Sequence, residues 1–380
     1  MAAAKSTGVL ALARKEGPFF AGVLTTAFFL LYGKTWLAEL SNPIVAAALF
    51  AWIFLAMLWA AFGVVRHADC LAEILGEPYG TLVLTVSVIT IEVALISAIM
   101  LTGNDNPTLA RDTMLAVIMI VLNLVAGLSL LIGGLRHGEQ EYNLQGARAY
   151  INVLLPLATM SLILPRFTTS TEAPTLTPLQ AALFAFLTIM LYAVFLAIQT
   201  RRHSNFFVEP GKLREEEHAE EGLIHEAHET VSVGYHAIML VLTLVPIVIL
   251  SKKLAIIVDF GTESLGVPPE LGGILVAILV LAPEGLAALE AASHNRLQRA
   301  VNICLGSALA TISLTVPAVL LVGLLVGDSV VLGLDPTEMV LLLLTLIMSM
   351  LTFGGLRTSM LQGMTHLVVF VAYMVLIFNP

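Results

Sequence analysis

Long apolar runs separated by short polar breaks dominate the chain. Runs of roughly 17–25 apolar residues are long enough to cross a bilayer as helices. Eleven are predicted here: 18–38, 43–65, 78–101, 113–135, 149–165, 178–198, 235–250, 268–292, 299–326, 336–353 and 358–379. The runs at 149–165 and 235–250 are short and are expected to borrow a turn from their flanks. The fold class this implies is an all-α polytopic membrane protein in contact with the lipid bilayer. Orientation follows from the polar breaks, because cytoplasmic loops are enriched in Lys and Arg. With the N-terminus inside, the inner segments hold thirteen such residues: Lys5, Arg14, Lys15, Arg66, Arg136, Arg148, Arg201, Arg202, Lys212, Arg214, Arg296, Arg299 and Arg357. The outer loops hold five: Lys34, Arg111, Arg166, Lys252 and Lys253. A cytoplasmic N-terminus and an outer, periplasmic C-terminus are expected.

The polar breaks also repeat. "DCLAEILGEP" (69–78) and "DFGTESLGVP" (259–268) share the frame D-x3-E-x-L-G-x-P, 190 positions apart. At that offset spans two to five overlay spans seven to ten, and span six matches span eleven. Five spans is an odd number, so the second copy must lie upside down in the membrane. The expected layout is an N-terminal segment with one helix (1–42), repeat 1 (43–198), an acidic loop (199–234) and repeat 2 (235–380). Inverted repeats are common in secondary transporters, whose sites lie near the bilayer midplane where the repeats meet.

One glutamate sits deep in each span that follows the repeated frame, Glu92 in "VSVITIEVALIS" and Glu284 in "LAPEGLAALE". The insertion cost of an Asp, Lys or Arg at a helix centre is about 2.5–3.5 kcal/mol, so a membrane-depth acid reads as functional. Glu290 falls near the cytoplasmic end of its span, where it can reach the interface. Two nearby carboxylates in a low-dielectric site must hold protons or a cation. Competition between those occupants is the minimal chemistry of a cation/proton antiporter, and Glu92 and Glu284 are the predicted cation-binding (metal) and proton-binding groups. Oxygen-bearing neighbours suit a hard cation. Thr85 lies two helical turns before Glu92 on nearly the same face, whereas Thr90 points elsewhere. Pro283 cannot donate a backbone hydrogen bond and so frees the carbonyl of Leu279, either as a ligand or merely as a helix kink. Asn123, Ser307 and Thr311 complete the candidate lining, although Ser and Thr also satisfy their own helix backbone.

Composition narrows the alternatives. The chain is 58% hydrophobic and 12% charged, against about 25% charged in soluble domains, and its mean hydropathy is +0.94. No cleavable signal peptide is expected at the start. Cys70 and Cys304 give neither a disulfide framework nor a metal spacing. The net charge of −9 gives no support for nucleic-acid binding. "YGKT" (32–35) mimics the end of a P-loop, but Phe28 stands where the first glycine is required. No cofactor is expected, and the proton gradient replaces ATP as energy source. An intramembrane enzyme would need a nucleophile–base pair or an aspartate-rich cluster, and neither is visible. A proton-uncoupled channel remains the other reading, separable by its lack of proton coupling. Homo-oligomerisation is left open.

The stretches 66–100, "RDTMLAVIMIVLNLVAGLSLLIGGL" (111–135) and "LAPEGLAALEAASHNRLQRAVNICLGSALATISLTVP" (281–317) carry a resemblance to the calcium/cation exchanger superfamily. The likeness is specifically to its bacterial ChaA-type cation/proton antiporters. It extends over nearly the whole chain. It implies exchange of calcium, sodium or potassium for protons across a bacterial inner membrane, with Glu92 and Glu284 as carriers. Calcium/proton exchangers of the wider family place Gly-Asn-Ala-x-Glu around each acid. Here the stretches are Val88-Ile89-Thr90-Ile91-Glu92 and Val280-Leu281-Ala282-Pro283-Glu284, and Ala310 stands where a glutamine is expected. Calcium takes six to eight oxygens. Loss of three amide side chains weakens the case for tight calcium binding and leaves room for sodium or potassium.

Further polar groups have two readings each. Asp69/Glu73 and Asp259/Glu263 fall in segments that read as short interfacial helices, as cation-attracting gates or as helix-solvating acids. His218, Glu221, His225 and His228 in the acidic loop share a helical face, as a regulatory or pH-sensing group or as part of a solvated linker. His366 in the last span reads as a packing histidine. His67 and His294 fall at membrane edges.

Overall fold

A computed structural model describes residues 16–75, 79–100, 107–171, 173–210, 233–266, 268, 270–326 and 330–379. Eleven helices cross them: α1 Gly17–Leu37, α2 Pro43–Leu75, α3 Tyr79–Met100, α4 Leu109–His137, α5 Leu144–Arg166, α6 Pro178–Arg202, α7 Val233–Leu265, α8 Glu270–Ser293, α9 Leu297–Leu325, α10 Pro336–Thr352 and α11 Met360–Phe378. Nine are long and apolar enough to span a bilayer, while the apolar stretches Thr85–Ser97 and Pro336–Thr352 are shorter. Proline opens α2, α6 and α10, a position where its missing N–H costs nothing. Thr177 and Gln180 cap α6 reciprocally: Gln180 N donates to Thr177 Oγ1 at 3.3 Å and Thr177 N to Gln180 Oε1 at 3.0 Å.

The repeat is visible element by element. α2 and α7 are each 33 residues, starting at 43 and 233 and ending at 75 and 265, so both ends keep the 190-residue offset. α4 and α9 each contain a π-helical turn, Met119–Val125 and Thr311–Thr315. Such turns are frequent at functional sites. One expectation is corrected: Asp69/Glu73 and Asp259/Glu263 do not belong to separate interfacial helices. They ride on the last turns of α2 and α7, because no proline interrupts either stretch and the backbone bonds continue past the apolar run.

The helices pack as two compact units. One holds α1, α2, α3 and α7; there Gly63 abuts Pro18, and a Cβ on Gly63 would sit 2.8 Å from the proline ring. The other holds α4–α6 and α8–α11. In it α4 is the most enclosed element, with 78% of its apolar window buried against 22% for α6. Glycines let backbones approach: a Cβ on Gly273 of α8 would lie 2.7 Å from the Thr113 nitrogen of α4.

Connections in the second unit sort into two groups. A two-residue antiparallel ladder pairs Gln140 with Thr358 and Glu141 with Arg357. Gln140 Nε2 donates to Asn295 Oδ1 at 2.9 Å, and Asn143 Nδ2 to the Asn205 carbonyl at 3.0 Å. These join the segments following α4, α6, α8 and α10. Val331 N donates to the Pro107 carbonyl at 3.0 Å and Gly333 N to that of Pro174 at 3.1 Å, joining the segments that follow α3, α5 and α9. In the first unit, Glu16 before α1 meets the end of α2 and the start of α7. In each unit these contacts join only connections that an even number of helices separates.

Candidate cation site

Glu284 lies in α8 directly after Pro283, which interrupts the backbone ladder while the helix continues. Leu279, whose carbonyl Pro283 cannot serve, is buried one turn earlier. Ser307 of α9 donates its hydroxyl to Glu284 Oε2. The two line a cavity with Val121 and Val125 of α4, Leu281, Gly285, Ile303 and Cys304. Gly285 leaves the room: a Cβ there would stand 3.2 Å from a Val125 methyl. The side-chain oxygens of this wall come from Glu284 and Ser307 alone, and the rest is apolar apart from one thiol. Thr311 is buried one turn beyond Ser307, where the π-helical turn of α9 begins.

Glu92 belongs to the other unit, where it is fully buried in α3. Thr85 is half-buried on the same helix, seven residues earlier. Thr90 is exposed and its hydroxyl donates to the Val86 carbonyl at 2.6 Å, so it serves its own helix. Ser87 does the same toward Val83 at 2.6 Å.

Asn123 stands apart from Glu284. It is fully buried, but Nδ2 donates to Thr345 of α10 at 2.8 Å and Oδ1 lies 3.0 Å from His366 Nδ1 of α11. Val121 and Val125, four residues apart, share one side of the turn, and Asn123 between them occupies the other. Asp69 and Glu73 are exposed and Asp259 is half-buried; the Glu263 side chain lies outside the described set. So do His218, Glu221, His225 and His228. His294 is exposed, whereas His67 is fully buried rather than at a wet edge.

Two charged clusters escaped the sequence reading. Glu16 accepts from Tyr235 at 2.7 Å, pairs with Arg66 at 2.6 Å and lies 3.0 Å from His67, whose ring meets His236 at 2.9 Å. Burial works to raise the Glu16 pKa. Hydrogen bonds from Tyr235 and His67 and the Arg66 charge outweigh it, so the carboxyl titrates below the usual glutamate range. In the second unit buried Arg111 pairs with Asp112 at 2.9 Å and with Asp335 at 3.3 Å, with Glu338 3.8 Å away. Arg111 is not an open loop residue; its neighbours satisfy the rule that buried charges are paired. The signal was present as an Arg-Asp dipeptide at a span edge, but nothing local names its partners.

The sodium/calcium exchanger protein family model matches residues 45–201 and again 235–379, one match in each half. The chain belongs to the sodium/calcium exchanger family. This member is 39% identical over 364 residues to the sodium-potassium/proton antiporter ChaA of Escherichia coli (strain K12), covering 96% of each chain. Its fold is that of YfkE, with a TM-score of 0.72 at 20% identity over 96% of this chain and 100% of that one. The H+/Ca2+ exchanger CAX superposes with a TM-score of 0.68 at 14% identity, over 95% and 88% of the two chains. The two family matches fall on α2–α6 and α7–α11, the helices paired by the 190-residue offset.

Proposed function

We propose that the protein is a secondary cation/proton antiporter of a bacterial inner membrane, exporting cytoplasmic cation against proton entry by alternating access. Glu92 and Glu284 are the carriers. Each holds either a proton or a cation, and the two occupants exclude one another. The observation that carries this reading is Glu284 itself, a membrane-depth carboxylate bonded by Ser307 at the wall of a cavity. A carboxylate, a hydroxyl and any freed carbonyl make few ligands, fewer than the six to eight oxygens calcium prefers. Sodium or potassium is therefore the favoured cargo and calcium the weaker one, in keeping with the named activity of the Escherichia coli relative.

The test is proton movement in proteoliposomes carrying an internal pH dye, with sodium, potassium and calcium added in turn. Wild type should release protons on addition of sodium or potassium. Glu92→Gln and Glu284→Gln should each abolish the response while the protein still inserts and elutes as a single species. Robust exchange by either variant removes that glutamate from the mechanism.

A further inference from the structure

His366 is fully buried in α11 and is not one of the residues that line the Glu284 cavity. Its ring closes a chain of hydrogen bonds through three helices. Asn123 Oδ1 can only accept, so His366 Nδ1–H donates to it at 3.0 Å, and Nε2 of the neutral ring then accepts from Thr352 Oγ1 at 3.0 Å. Asn123 Nδ2 donates onward to Thr345 Oγ1 at 2.8 Å, and Thr345 Oγ1 to the Met119 sulfur at 3.4 Å. Donors and acceptors run in one direction from α10 through α11 to α4 and back to α10. Every link fixes one rotamer, and the chain holds the tautomer of the histidine.

The held residue is Asn123, midway along the π-helical turn Met119–Val125. Val121 and Val125 of the same turn wall the Glu284 cavity from the other side. Close packing leaves the turn little freedom: a Cβ on Gly363 would sit 2.6 Å from the Gly127 carbonyl oxygen. The matching turn of α9 is built differently. Ser313 and Thr315 are buried there, and their hydroxyls find no hydrogen-bond partner among the described residues.

We propose that His366 is a positioning residue for exchange: through Asn123 it fixes the α4 turn whose other face walls the Glu284 cavity, and so sets how tightly that site holds its cation. The inference rests on Glu284 as carrier. A residue that merely stabilised the bundle would change the amount of folded protein and not the affinity of what folds.

The experiment measures KM and Vmax for cation-evoked proton flux in proteoliposomes, using whichever of sodium, potassium or calcium drives the wild type. His366→Leu should raise KM at least fivefold, and raise it more than it lowers Vmax. Thr345→Val, which keeps the shape and removes one link, should raise KM in the same direction and carries the test if His366→Leu does not fold. The double variant should do no worse than the stronger single one, because both break one chain. His366→Gln, with an amide to donate to Asn123 and accept from Thr352, should recover most of the wild-type KM. Unchanged KM in His366→Leu and Thr345→Val, with Glu284→Gln inactive beside them, overturns the positioning role and leaves the carrier reading intact. An active Glu284→Gln removes the carrier reading and this inference with it.

Discussion

On the proposed mechanism, Ser307 is the side chain placed to tip Glu284 between proton and cation. Ser307 donates to the Glu284 carboxylate and, on that mechanism, offers its oxygen when a cation enters. Ser307→Ala should raise the apparent KM for cation about tenfold, the equivalent of roughly 1.4 kcal/mol and near the low end for a hydrogen bond to a charged group. Cation-evoked proton flux at saturating and limiting cation checks it; an unchanged KM would mean that Ser307 is no ligand. Both glutamates were legible because an acid in an apolar run is costly enough to stand out. Ser307 was legible as a polar residue within an apolar span. Cys304, Val121 and Val125 were not, since thiol and aliphatic residues carry no mark in a chain that is 58% hydrophobic. Asn123 was read as a polar residue within its span, and its bonds to Thr345 and His366 were not legible. Sequence position gives depth along a span, but the side a residue faces depends on neighbours and here on a π-helical turn that shifts the register.

The helices themselves were legible wherever proline and apolar length agree, as at α6 and α10. Their ends were harder. The apolar run of α2 stops near Val65, yet the helix continues to Leu75 because "RHADCLAEIL" contains no glycine or proline. Hydropathy marks where lipid ends, and hydrogen bonding decides where the helix does. The continuation places Arg66 and His67 against Glu16 and ties the start of α1 to α2 and α7. The folded pKa of Glu16 is depressed, so its ionisation stabilises the fold above the unfolded pKa of about 4.3 and ceases to do so as pH falls through the folded value. Glu16→Gln should therefore lower the Tm of detergent-solubilised protein at pH 7. The gap from wild type should start to narrow as pH falls below the unfolded value of about 4.3 and close once pH has passed the depressed folded value, where the wild-type carboxyl is protonated too. A gap of constant size from pH 7 to pH 3 would show that the ionised carboxylate is not what holds the three elements together.

At the scale of the molecule, one frame of five matched residues was enough to read the duplication, since both copies keep their spacing at both ends of α2 and α7. The gathering of helices into two units was not readable, because pairing of α2 with α7 joins segments 190 positions apart and leaves no local pattern. Sidedness stands between these cases. The structure sorts connections into two groups, and the Lys and Arg census then assigns each group a side. Glu139 adjoins the ladder of Gln140 and Glu141 with Arg357 and Thr358, in the group expected to face the cytoplasm. Thr171 lies between α5 and α6, in the group with Pro174 and Gly333 expected to face outward. A cysteine at position 171 should react with a membrane-impermeant maleimide in intact cells stripped of their outer membrane, and one at position 139 only after permeabilisation. Cys304 is buried and Cys70 half-buried, so the unmodified chain serves as the background in both conditions. The reverse labelling pattern would invert the molecule and with it the direction of cation export. Equal labelling of both positions before permeabilisation would contradict the alternation itself, because an odd number of spanning helices separates 139 from 171.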